Sequence, residues 1–132
     1  FRSDLAQHTL IEEDSSQPTA ASLSWRRWLD EQALGDLQPR SWMYLNYTHQ
    51  QVQAALAGQG VALARMALVH ELIARGELVE PFGPGRRLAS HAAYYRVTSL
   101  AAEPRPELAA FIAWIDQQAA LTRRAIGEAE AG

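Results

Sequence analysis

The chain has 132 residues, 48% apolar and 20% charged, which suits one domain and reads as globular rather than disordered. Its formal charge is −3 and all 12 basic residues are arginine, so the chain by itself carries no electrostatic footprint for nucleic acid. Cysteine is absent, which rules out disulfides, thiolate metal sites and cysteine nucleophiles. No run reaches the ~18–20 apolar residues of a membrane helix.

In chain order, "HTLIEED" (residues 8–14) carries Leu10 and Ile11 and ends in acids, which predicts a short strand. "SSQPTAAS" (15–22) is polar with a proline, hence a loop. The next segment predicts a helix with Leu23, Trp25, Trp28 and Leu29 on its apolar side, Ser22 or Ser24 as its cap and Gly35 as its stop. Trp25 and Trp28 share one face by their spacing; core or interface packing suits them better than a cofactor. "SWMYLNY" (41–47) predicts a strand. Thr48 and Gln51 fit a capping box for a helix with Val52, Ala55 and Leu56 at helical spacing and Gly58 at its end. "GVALAR" (60–65) predicts a third, doubly covered strand, "MALVHELIARG" (66–76) a helix ended by Gly76, and "ELVEPF" (77–82) a brief strand. A turn, "GPGRR" (83–87), leads to a strand over 90–100. Pro104 and Pro106 then introduce a long helix with the stripe Leu108, Phe111, Ile112, Ile115 and Ala119. Strands alternating with helices imply an α/β fold around a parallel or mixed sheet, with the main boundary between residues 83 and 90.

Tests for catalysis and cofactors fail. Gly58-x-Gly60 resembles a dinucleotide fingerprint, but it follows a helix and precedes a strand, and the third glycine position holds Leu63. That order is backwards for phosphate, and the glycines fit a helix stop and a turn. The four histidines, His8, His49, His70 and His91, have no metal-ligand spacing. The "EED" run (12–14) reads as solvated surface, and no serine stands in a nucleophile elbow. No enzyme, metal or cofactor is expected. What rises above background is "NYTHQ", Asn46, Tyr47, Thr48, His49 and Gln50, where a strand passes into a helix. Helix N-termini expose N–H donors that suit a carboxylate, and ligands of open α/β sheets settle outside the carboxyl ends of the strands. The plainer alternative is that Thr48 only caps the helix and His49 is exposed, and on the residues alone it is the stronger of the two.

Together these pieces resemble the LysR-type transcriptional regulators, in the branch that includes glycine-cleavage and β-lactamase-inducer regulators. The resemblance is carried by "SWRRWL" (24–29), "VQAALAGQGVALAR" (52–65), "LVHELIARGELVEPF" (68–82), "AAYYRV" (92–97) and "RPELAAFIAWI" (105–115), in family order over about residues 8–118. It implies a periplasmic-binding-protein-like effector domain. Residues 1–89 would be its second subdomain, and residues 90–132 the return strand and C-terminal helix of the first. The N-terminal winged helix-turn-helix and most of the first subdomain have no counterpart in the chain, which opens without Met, as a piece of a longer protein would.

What the resemblance implies about function follows from that placement. A small effector, such as a carboxylate or amino acid, would sit between the subdomains. There it would touch Asn46, Tyr47, Thr48, His49 and Gln50, with one of Tyr94 and Tyr95 aimed inward by strand alternation. The protein would work in the cytoplasm as a homodimer or homotetramer, with no membrane partner. It would reach DNA only through the domain not represented here. With half the pocket present, weak or no effector binding is expected of this chain alone. A periplasmic solute-binding protein, which shares the fold, is the second reading; a signal peptide or a helix-turn-helix upstream separates the two.

Overall fold

A computed structural model describes residues 2–14, 24–90, 93–101, 103 and 105–128, with backbone only for residues 2 and 3. The chain forms two compact units, Phe1–Ser90 and His91–Gly132.

The first unit is built on a parallel three-stranded sheet in the order β2-β1-β3, with β1 at Thr9–Glu13, β2 at Ser41–Leu45 and β3 at Val61–Ala62. The α-helices among the described residues are α1 (Arg2–Ala6), α2 (Trp25–Glu31), α3 (Thr48–Leu56), α4 (Met66–Ala74) and, in the second unit, α5 (Pro106–Ile126). Register sets the two faces of the sheet. Leu10 pairs with Trp42 and Val61, and Ile11 pairs with Met43 and Ala62, so the two triplets point to opposite sides. On the Leu10 side, Trp25, Trp28 and Leu29 of α2 join Leu5, Leu34 and Leu37 in one buried cluster, with Phe82 and Leu88 against it. On the Ile11 side, α3 lies across all three strands and buries Val52 and Ala54. Helices on both faces of a parallel sheet make the α/β architecture expected from the sequence.

Local chemistry explains the element ends. Ser24 caps α2 by accepting the N–H of Arg27, and the Trp25 N–H is taken by the Glu12 carboxylate at 2.8 Å. The indole N–H of Trp25 donates to the Ile11 carbonyl at 2.9 Å, which fastens the helix to the central strand. The loop expected over residues 15–22, and Leu23 with it, lies outside the described residues. Gly58 (φ 71°) closes α3: its N–H reaches Ala55 O and that of Gln59 reaches Ala54 O, the paired bonds of a Schellman turn. Gly60 is required for a different reason, because a Cβ there would collide with the Thr9 carbonyl oxygen. The two glycines therefore end a helix and let the next strand approach β1, as their order in the sequence predicts.

Several expectations need correction. Gly35 does not stop α2; the helix ends at Glu31, and Ala33 takes the left-handed turn (φ 56°) while Leu34 N–H bonds Leu29 O at 2.7 Å. Thr48 does not cap α3, since the cap position belongs to Tyr47 and no side chain bonds there. The buried residues of α3 are Gln51, Val52 and Ala54, whereas Ala55 and Leu56 are half-buried. The third strand pairs over Val61–Ala62 only, and is half-buried rather than doubly covered. Residues 77–82 form no strand: Val79 is exposed, Pro81 has no N–H to donate, and Phe82 turns back to the α2 cluster. Residues 93–99 are likewise not a strand, because no strand of the described sheet offers them a ladder; His91 and Ala92 lie outside the described residues. In α5, Leu108, Ile112, Ile115 and Ala119 are half-buried as a stripe, but Phe111 is 56% exposed and stacks on the equally exposed Trp114. Pro106 starts that helix at its first turn, and Gly127 ends it in the left-handed region; Pro104 lies outside the described residues.

Candidate functional site

Because the strands are parallel, their carboxyl ends gather at one edge of the first unit. The Asp14 N–H donates to the Leu45 carbonyl at 3.0 Å, which holds the acidic end of β1 beside the point where β2 runs into α3. Across that junction Tyr47 is extended (φ −133°, ψ 143°), and its carbonyl accepts the N–H of Gln50 at 3.0 Å and of Gln51 at 3.3 Å. The N–H groups of Thr48 and His49 precede this first intrahelical bond and point out of the helix end. Rings of Tyr47 and His49 stack 5.7 Å apart at 16°, both exposed, while Thr48 is half-buried between them in sequence.

An open groove of about 400 Å³ runs beside this junction, between α3 and β2. Its floor is apolar, from Met43 and Leu45, alternate residues of β2 that share a face, and from Ala54. Its rim is His49, Gln50, Gln53 and Gln59. The α3 residues meet there because 49, 50, 53 and 54 are three or four apart. The groove offers amide and imidazole donors and acceptors over an apolar bed, with no charged side chain among the lining residues.

Of the predicted contact residues, His49 and Gln50 line the groove, whereas Asn46, Tyr47 and Thr48 sit at the junction beside it. Tyr94 and Tyr95 lie in the second unit and are 71% and 82% exposed. The sequence reading missed Met43, Leu45, Gln53, Ala54 and Gln59. The alternation of "WMYL" and the helical spacing of Gln53 from His49 were the available signals. Among the described residues there is no group of three His, Asp or Glu side chains placed to hold a metal ion, and no helix is long and apolar enough to cross a membrane.

This arrangement, helices on both faces of a parallel sheet with an open strand-to-helix junction, is an α/β unit whose strand carboxyl ends are left accessible. The chain belongs to the LysR substrate binding domain family, whose model matches residues 2–120. It is 35% identical over 98 residues to the HTH-type transcriptional regulator DsdC of Escherichia coli K12, covering 74% of this chain and 30% of that protein. It is 32% identical over 117 residues to the glycine cleavage system transcriptional activator of the same strain, covering 89% of this chain and 36% of the relative. The chain thus spans about a third of the length of the curated relatives it matches. No solved structure matches it at a significant level. The family's periplasmic-binding-protein-like fold agrees with the α/β sheet described here.

Proposed function

We propose that this chain is the ligand-sensing part of a LysR-type transcriptional regulator, and that it acts without catalysing a reaction. The family match over residues 2–120 carries the reading, and two regulators of transcription among its relatives favour it over solute transport. In this proposal residues 1–89 form the second subdomain of the effector domain, and residues 90–132 return to the first. The winged helix-turn-helix that contacts DNA, and most of the first subdomain, belong to the longer protein, which assembles with copies of itself in the cytoplasm.

The effector is a small molecule, such as a carboxylate or an amino acid. The junction at Asn46, Tyr47, Thr48, His49 and Gln50 supplies the contacts, backbone N–H groups from the start of α3 and side chains around them. Effector binding then shifts the regulator between two assemblies that hold DNA differently, which requires unequal affinity of the effector for the two. Gel-shift titration of the intact regulator on its own promoter, with and without a panel of small carboxylates and amino acids, tests the proposal. An effector-dependent change in DNA affinity supports it. DNA affinity indifferent to every member of the panel, or no DNA binding, contradicts it.

A further inference from the structure

After α4 the chain reaches the end of the first unit at Ser90 without strand or α-helix, apart from one 3-10 turn at Pro84–Arg86. Gly83 starts this last stretch in the left-handed region (φ 72°), and from Pro84 to Ser90 every residue except Leu88 is exposed. Side chains, not a ladder, fasten it to α2. The indole N–H of Trp28 donates to the Arg86 carbonyl at 2.7 Å, and the Arg27 guanidinium donates to the Ala89 carbonyl at 3.0 Å. The Arg86 guanidinium in turn donates to the Gln32 side-chain oxygen at 2.6 Å. Glu31, one turn along α2, accepts a second bond from Arg27 at 3.1 Å and aims it. The helix itself is held more firmly than the stretch it holds. Trp25, Trp28 and Leu29 are buried, and Trp25 is bonded to both Glu12 and the Ile11 carbonyl of β1.

We propose that residues 83–90 are a strap with two states, latched on α2 and released, and that Arg27 sets the balance between them. Hydrogen bonds at exposed sites each contribute little net stability. Release uncovers one half-buried apolar side chain, Leu88, and leaves the buried cluster beneath α2 closed. Local openings of this kind need much less free energy than unfolding of the whole unit. Arg27 holds the residue next to the unit's end, and its bond is charge-assisted, so it opposes peeling from that end. Trp28 holds the middle of the strap from a ring that is buried and stays in place. Because the first unit ends at Ser90, release adds residues 83–89 to the chain that joins the two units. The latch on α2 therefore sets the length of that tether. This proposal stands independently of the sensing role.

Trypsin reads the release directly, because the latched strap withholds what the protease needs. The carbonyl of the Arg86–Arg87 bond is the one Trp28 holds, the Arg86 side chain is on Gln32, and Glu80 takes the Arg87 guanidinium at 2.7 and 2.9 Å. Cleavage at Arg86 and Arg87, followed by mass spectrometry of the 132-residue chain, tracks the released fraction when opening and closing are fast. The expected wild-type rate is slow and nearly flat up to about 1 M urea, whereas cleavage through global unfolding would rise at least about fivefold over that range. Arg27→Gln should speed cleavage roughly 10-fold, for the loss of one charge-assisted bond, with an unchanged far-ultraviolet circular dichroism spectrum. Arg75→Gln, which removes the exposed Arg75–Glu77 pair of the same unit, should leave the rate as in wild type. An Arg27→Gln chain cut no faster than wild type, a wild-type rate that climbs with urea as global unfolding does, or equal acceleration by Arg75→Gln would each overturn the proposal.

Discussion

Glu80 and Glu12 are two carboxylates whose surroundings push in opposite directions. Arg87 donates to both oxygens of Glu80, at 2.7 and 2.9 Å, and this bonding holds the carboxyl below its ordinary value of 4.5 against a smaller opposing effect of burial. A depressed acid contributes stability that is present above the unfolded value and lost as pH falls through the folded one. Glu80→Gln should therefore cost about 0.5–1 kcal/mol at neutral pH, for a partly exposed ion pair, and nothing at acid pH where wild type is protonated too. Thermal melts of both proteins across pH 2–7, roughly spanning the carboxylate range, check this. Glu12 is raised instead, by burial first, with the Trp25 N–H bond pulling the other way. Its contribution is present below 4.5 and declines as pH rises through the folded value, so Glu12→Gln should flatten that part of the profile. Trp28 joins three parts of the unit, with its ring 5.4 Å from Trp25 and 5.1 Å from Phe82 and its indole N–H on the Arg86 carbonyl at 2.7 Å. Trp28→Ala should cost about 3–5 kcal/mol in urea unfolding, as for other buried aromatics.

Among the elements, helix caps were partly legible in the sequence and partly not. Ser24, one of two candidate serines, is the cap of α2, and Ser24→Ala should cost about 1 kcal/mol. Thr48 has the residue type and spacing of a cap, yet β2 enters α3 one residue earlier, through Tyr47, and leaves Thr48 inside the first turn. Thr48→Ala should accordingly change stability by less than about 0.5 kcal/mol, measured by the same urea unfolding. Glycine stops were readable at Gly58 and Gly76, both left-handed, but not after α2, where Ala33 takes that conformation in place of Gly35. Gly58→Ala should cost about 1 kcal/mol through its positive φ alone. Gly60→Ala should cost more, because its methyl meets the Thr9 backbone. Strands were legible only where a partner exists. Residues 9–13 and 41–45 find each other, but the apolar runs at 77–82 and 93–99 have strand-like composition and no ladder in the described sheet. Composition predicts that a segment suits a strand; pairing is supplied by tertiary neighbours, which no local pattern encodes. The same holds for the groove, whose His49 and Gln50 were foreseen from the junction, while Met43, Leu45 and Gln59 join it only through the packing of α3 on β2.

For the whole molecule, the chain supplies a folded α/β unit of the LysR substrate-binding family and about a third of the length of its regulator relatives. The sensing proposal assigns to it one wall of an effector site, at the start of α3. Thr48 is a clean probe of that wall, because it makes no capping bond whose loss would loosen the helix. The most direct measurement is calorimetric titration of the intact regulator with its effector, wild type against Thr48→Ala, at matched thermal stability. Loss of one effector hydrogen bond predicts roughly 10-fold weaker binding, worth about 1.4 kcal/mol, with an unchanged melting temperature. An affinity equal to wild type in the variant would contradict the assignment of the effector to this junction.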